Sequence, residues 1–92
     1  MHLDVRVLAS PLGLSRIGIV VPRHQHSAVD RNRLKRRLRE LARLELLPAL
    51  RGVAPIDIAI RARREGYAAT MDALRSDIDL IRARVTSVAE SA

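Results

Sequence analysis

The sequence predicts a small α+β sandwich, one sheet with both helices packed on it, and three observations lead there. Three short runs alternate apolar and polar residues with the period of a strand, and two longer stretches repeat apolar residues every three or four positions. Their order is strand, strand, helix, strand, helix, which suits a single sheet covered by helices. The third observation is size: 92 residues form one domain, residues 1–92, whose core is small because a chain this short buries only somewhat above ~60% of its unfolded surface. Hydrophobic residues at 48% and charged residues at 29% are ordinary for a folded domain and argue against disorder or a fibrous class. The pattern does not fix the hand of the crossover, and no internal repeat or linker interrupts it.

The first strand is expected over residues 3–9, where Leu3, Val5, Val7 and Ala9 alternate with Asp4, Arg6 and Leu8. Ser10-Pro11-Leu12-Gly13 breaks it, and a β-branched run over residues 16–21 ends at Pro22, so the two runs read as an antiparallel hairpin. Gly18 within the second run marks a close backbone approach or a bulge. Ser27, followed three residues later by Asp30, resembles a capping box and opens a helix over residues 28–47, which Pro48 stops or kinks ahead of a turn at Gly52. A third strand alternates over residues 56–61. From Gly66 the chain passes Thr70 into a final helix, residues 71–88, whose stripe Leu74, Ile78, Ile81, Val85 and Val88 is core. The tail from about Glu90 to Ala92 is expected to fray.

The charge balance points to a polyanionic partner. Seventeen basic against ten acidic side chains give +7 and a pI near 11.5, and Lys35 is the only lysine among sixteen arginines. Seven cations fall within 13 positions of the first helix: Arg31, Arg33, Lys35, Arg36, Arg37, Arg39 and Arg43. At 100° per residue Leu34, Leu38, Leu41 and Ala42 share the core stripe, while Asn32, Arg33, Arg36, Arg39 and Arg43 gather opposite. Arginines one or two turns apart stand roughly 5 to 11 Å apart, comparable to successive phosphates. A solvated helix face interleaves acids at i,i+4, and this one scarcely does, with only Asp30 and Glu40 nearby. Charge alone does not separate RNA from DNA.

Other classes find less support. No cysteine means no disulfide and no thiolate metal site; the N-terminus lacks a signal-peptide pattern; and no run approaches the ~20 apolar residues of a membrane span, so a cytoplasmic protein is expected. His24 and His26 lack a nearby third ligand, so no metal site is expected and they read as polar loop residues able to touch phosphate when protonated. Asp57, Asp72, Asp77 and Asp79 make no catalytic cluster and are expected in structural salt links, which argues against an independent nuclease.

The run Ala28-Val29-Asp30-Arg31-Asn32-Arg33-Leu34-Lys35-Arg36-Arg37-Leu38-Arg39-Glu40 resembles the signature of the bacterial ribonuclease P protein subunit, matching Ala-Val-x-Arg-Asn-Arg-x-Lys-Arg-x-x-Arg-Glu at every fixed position. The similarity extends back through Arg16-Ile17-Gly18-Ile19-Val20-Val21, forward through Asp57-Ile58-Ala59-Ile60-Arg61-Ala62-Arg63, and on to the final helix. The resemblance implies a ferredoxin-like, ribosomal-protein-type sandwich with a left-handed βαβ crossover, against the general right-handed preference. It implies an accessory subunit without catalytic residues of its own, which binds the ribonuclease P RNA and the 5′ leader of precursor tRNA. The RNA is the catalyst, magnesium enters through the RNA and substrate with no cofactor bound by the protein alone, and no small-molecule substrate is expected. Carried over, Arg31, Asn32, Arg33, Lys35, Arg36, Arg37 and Arg39 are RNA contacts, with Arg23, Arg43, Arg61, Arg63 and Tyr67 as additional candidates.

Two departures stand out. Family members carry an extra helix and aromatic residues before the first strand, whereas this chain starts almost at that strand and has neither Phe nor Trp. Either an upstream segment precedes this start, the preferred reading, or the chain is a shortened member with a cleft open on one side. Pro22-Arg23-His24-Gln25-His26 replaces the family's Ser-Lys-Lys-like turn with glycine. Tyr67, the only aromatic, has two readings: a lid for the last helix or a base-stacking ring. Two other readings of the whole chain are a general RNA-binding, ribosome-associated or DNA-binding basic module, and a remnant that folds poorly.

Overall fold

In the computed structural model, which describes the backbone of residues 1–53 and 55–91 and their side chains as far as residue 87, three strands and two long helices follow in the expected order. The strands are β1 (Leu3–Ala9), β2 (Arg16–Val20) and β3 (Ile56–Ala62), and the helices are α1 (Ala28–Leu41) and α2 (Met71–Ser91). Val88 and the tail beyond it, for which fraying is expected, lie outside the fully described residues.

The predicted hairpin is not formed. The strand order is β1-β3-β2: β3 pairs antiparallel with β1, Leu3 opposite Ala62 and Ala9 opposite Ile56, and parallel with β2, Arg16 opposite Asp57 and Val20 opposite Arg61. The reason is visible at the start of β3. Ser10 donates its amide to Pro55 O (3.1 Å) and Ser15 Oγ accepts from Ile56 N (3.1 Å), so the β1–β2 connection straddles β3 instead of turning tightly. Parallel neighbours need a long crossover, and α1 supplies it. Gly18 makes neither a bulge nor a close approach: its register opposite Ala59 is continuous, and a Cβ there would meet Ile58 O only at 3.9 Å.

Strand alternation builds the core. Ile56, Ile58, Ile60 and Ala62 of β3 are buried, while Asp57, Ala59 and Arg61 face the other way; on the flanking strands Leu3 is buried and Val5, Val7, Ile17 and Ile19 are half-buried. Leu34, Leu38 and Leu41 of α1 and Leu74, Ile78, Ile81 and Val85 of α2 belong to the same cluster, so both helices cover one face and leave the other bare. Ser27 caps α1 as predicted, its Oγ accepting from Asp30 N (3.1 Å), but the Asp30 carboxylate turns to the His26 ring at 3.6 Å. Thr70 caps α2 in the same way, its Oγ1 accepting from Ala73 N (3.1 Å).

The first helix does not stay α-helical to residue 47. Ala42–Leu46 widen into a π turn closed by Leu47 N to Ala42 O, and Leu47–Leu50 tighten into a 3₁₀ turn with Pro48 near its start. Proline has no amide to donate and crowds the preceding turn, so the helix changes pitch around it. Gly52 follows at φ 79°, a left-handed turn that glycine adopts without strain.

Polar tethers fasten the ends. Arg31 Nε donates to Val21 O (2.7 Å), tying α1 to the end of β2, and Tyr67 Oη donates to Pro22 O (2.6 Å) one residue later. Asp77 is buried, at 6% exposure, and one of its oxygens accepts from both His2 N (2.8 Å) and His2 Nδ1 (2.7 Å). Asp77 is thus linked to His2 near the chain start, and Asp57, Asp72 and Asp79 pair with Arg16, Arg75 and Arg82.

Replacing fully buried Ile60 with alanine should cost about 2–5 kcal/mol in urea unfolding, since it opens a cavity under both helices. Arg31→Ala should cost about 1 kcal/mol through the lost bond to Val21 O. Exposed Arg36→Ala should stay within about 0.5 kcal/mol. Equal stability of the two arginine variants would mean that the tether contributes nothing.

Candidate nucleic-acid interface

The leucine stripe fixes the rotation of α1, and the opposite side is therefore set by packing. Asn32, Arg33, Arg36, Arg39 and Arg43 are exposed as predicted, and Arg31, Lys35 and Arg37 occupy the half-buried flanks. Among the described residues no carboxylate pairs with Arg33, Lys35, Arg36, Arg37 or Arg39, leaving five unneutralised cations on one helix. Asn32, Arg33, Arg36 and Arg37 line a shallow concavity with Val29. A second, smaller hollow lies between α1 and the 3₁₀ turn Arg64–Ala68, lined by Arg33, Arg37, Asp30, Leu34, His26 and Tyr67.

The remaining candidates divide by what they already hold. Arg43 donates to Glu40 Oε1 (2.7 Å), a bond that pushes its guanidinium pKa up. Arg63 donates Nε to Asp4 Oδ1 (2.8 Å), and that hydrogen bond, with the charge of Arg63 behind it, holds the Asp4 carboxyl below its ordinary range. Arg23 and Arg61 are exposed. Arg31, counted with the RNA contacts from sequence, has its Nε committed to the β2 end, so at least part of its role is structural.

The bare sheet face was not singled out from sequence. Arg6, Leu8, Arg16, Gly18, Asp57 and Ala59 line a depression of about 450 Å³ across all three strands, with small residues as its floor. Arg16 Nε donates to Asp57 Oδ1 (2.9 Å), which keeps the Asp57 carboxyl below its usual range and makes that end of the depression nearly neutral. The outward positions were readable from the alternation; their meeting required the strand order. Leu8 at 72% and Val20 at 54% exposure extend this apolar surface.

Among the described residues no three His, Asp or Glu side chains converge as a metal site, and no helix is long and apolar enough to cross a membrane. His24 and His26 instead flank Tyr67: His26 lies parallel to it with centroids 3.8 Å apart, and His24 meets it edge-on at 6.4 Å.

Solved structures share this fold. The Staphylococcus aureus RNase P protein superposes with a TM-score of 0.73 over 90% of this chain and 73% of its own, at 21% identity. The Thermotoga maritima RNase P protein, in a complex with 1-(4-fluorophenyl)-2-thiourea, gives 0.69 over 87% and 77% at 28% identity. Another structure of the Thermotoga protein gives 0.59 over 98% and 76% at 26% identity. No curated protein matches the chain. The Ribonuclease P family model matches residues 2–86, spanning all three strands, the unpaired cations of α1 and about three-quarters of α2, and the chain belongs to the ribonuclease P protein family.

Proposed function

We propose that this chain is the protein subunit that binds the ribonuclease P RNA through the outer face of α1 and supports RNA-catalysed removal of the 5′ leader from precursor tRNA. The observation that carries this reading is the set of five cations without carboxylate partners around Asn32, with Arg33, Arg36 and Arg39 held outward by the leucines beneath and Lys35 and Arg37 on the flanks. Each cation that meets a phosphate displaces a condensed counterion, and arginine does so in a bidentate fork. Asn32, able to donate and accept, adds contacts to sugars or base edges.

The bare sheet face suits a different part of the substrate. Its floor at Gly18 and Ala59 lets a strand approach closely, and its apolar rim favours bases over phosphates. The 5′ leader is assigned to this depression, with Arg6 and Arg61 exposed on the same face for the backbone. No side chain is assigned to bond breaking: the only buried carboxylate among the described residues, Asp77, is held by His2. Magnesium in this reading is supplied through RNA and substrate.

The test is cleavage of a precursor tRNA by a bacterial ribonuclease P RNA at low magnesium, with wild type and with Arg33→Ala/Arg36→Ala. Wild type should stimulate cleavage and the double variant should lose at least about tenfold, while log affinity for the RNA should fall less steeply with log salt, by ~1.5 in slope for two lost phosphate contacts. Binding that ignores RNA structure, with no stimulation of cleavage, would establish a general basic module instead.

A further inference from the structure

The hollow between α1 and the Arg64–Ala68 turn contains a ring stack that the basic face does not require. Tyr67 and His26, 41 residues apart in sequence, lie 3° from parallel with centroids 3.8 Å apart. Tyr67 is fixed by its bond to Pro22 O (2.6 Å), and His24 braces its edge at 88°. The loop that delivers both histidines is strained: His24 at φ 47° and Gln25 at φ 69° are consecutive non-glycine residues in the left-handed region. Such conformations persist only when the surroundings over-determine them, and they cluster at binding sites.

The exposed member of the stack is His26. One of its faces is covered by Tyr67 and its Nδ1 edge meets Asp30 at 3.6 Å, while the residue as a whole is exposed. The hollow beside it, about 170 Å³, carries Arg33 and Arg37. We propose that this corner is a subsite for one unpaired RNA nucleotide, the base stacking on the outer face of His26 and its phosphate held by Arg33 and Arg37. Single-stranded nucleic acid is recognised by such a combination of pre-set ring and adjacent cations, since every base has a π face and every linkage a charge. A ring already held by a second ring and a carboxylate loses little freedom when a base lands on it. Two arginines without ion-pair partners next to the stack select a phosphate-bearing ligand over a free base.

The inference rests on the RNA-binding reading of α1 but can fail separately. The full chain is titrated into a single-stranded RNA oligonucleotide carrying a fluorescent adenine analogue whose emission is quenched by stacking, using wild type, His26→Ala and His26→Phe. Wild type and His26→Phe should quench the analogue, and His26→Ala should lose the quench and bind about five- to tenfold more weakly. His26→Ala quenching and binding like wild type would overturn the subsite, leaving the stack a structural brace. So would a folded His26→Phe that behaves like His26→Ala, because a ring alone should suffice. Stimulation of cleavage by the ribonuclease P RNA, measured on the same preparations, separates the two ideas: if wild type stimulates while the quench is absent, only the subsite is lost, and if wild type neither stimulates nor binds, the reading of α1 falls with it.

Discussion

The packing of the leucine stripe of α1 into the core that the inner face of β3 lines sets the rest of the molecule. β3 is the central strand, with Ile58 and Ile60 at its middle, and Leu34, Leu38 and Leu41 close over the same core. Burying each leucine is worth ~1.5–3 kcal/mol, whereas an exposed ion pair contributes ~0–1. Hydrophobic packing therefore decides how α1 rotates, and charge has no vote large enough to change it. Arg33, Arg36 and Arg39 are forced into water with Lys35 and Arg37 on the flanks, and their mutual repulsion is tolerated because water and salt screen it.

The helix could have been held loosely above that core, but polar bonds at its start remove the freedom. Arg31 reaches the last carbonyl of the β2 run, Tyr67 reaches the next one, and Ser27 closes the first turn. The buried Asp77 makes a similar anchor beneath α2, where the desolvation of a carboxylate is offset by two donors from His2. These anchors gather at the end of the sheet where β2 hands over to α1, so the first two turns of the basic helix are the best fixed. A charged surface that is already rigid loses less entropy on meeting RNA than one assembled on binding.

Much of this was legible from local pattern. Alternation located all three strands within a residue or two, and the three-four spacing identified both helix stripes, because each depends only on which neighbours share a face. The strand order was not legible. Whether β1 and β2 form a hairpin depends on competition from β3, more than thirty residues on, and on Ser10 and Ser15 bonding around its start, neither of which leaves a local signature. Arg31 shows the same limit at the site: by residue type it is one more cation in the row, and only the carbonyl of Val21 distinguishes it. The pairing of His26 with Tyr67 was out of reach for the same reason, although Tyr67 as the sole aromatic was worth a question.

The two surfaces differ in the chemistry they offer, and the difference follows from which cations have partners. On α1 the guanidinium groups of Arg33, Arg36, Arg37 and Arg39 have no carboxylate partner among the described residues; on the bare sheet face Arg16 is matched by Asp57, and at its β1 edge Arg63 by Asp4. The unpaired cations of α1 interact with any phosphate chain and should depend steeply on salt, whereas the depression floored by Gly18 and Ala59, neutral at its Arg16–Asp57 end and with Arg6 as its one unpaired lining charge, gains more from shape and stacking and should depend on salt less steeply. They lie on opposite sides of one sheet in a molecule only 18 Å through its shortest dimension. In the proposed reading that arrangement lets one small domain grip a structured RNA with one side and steady a single strand with the other, so that binding the first brings the second within reach as an intramolecular event.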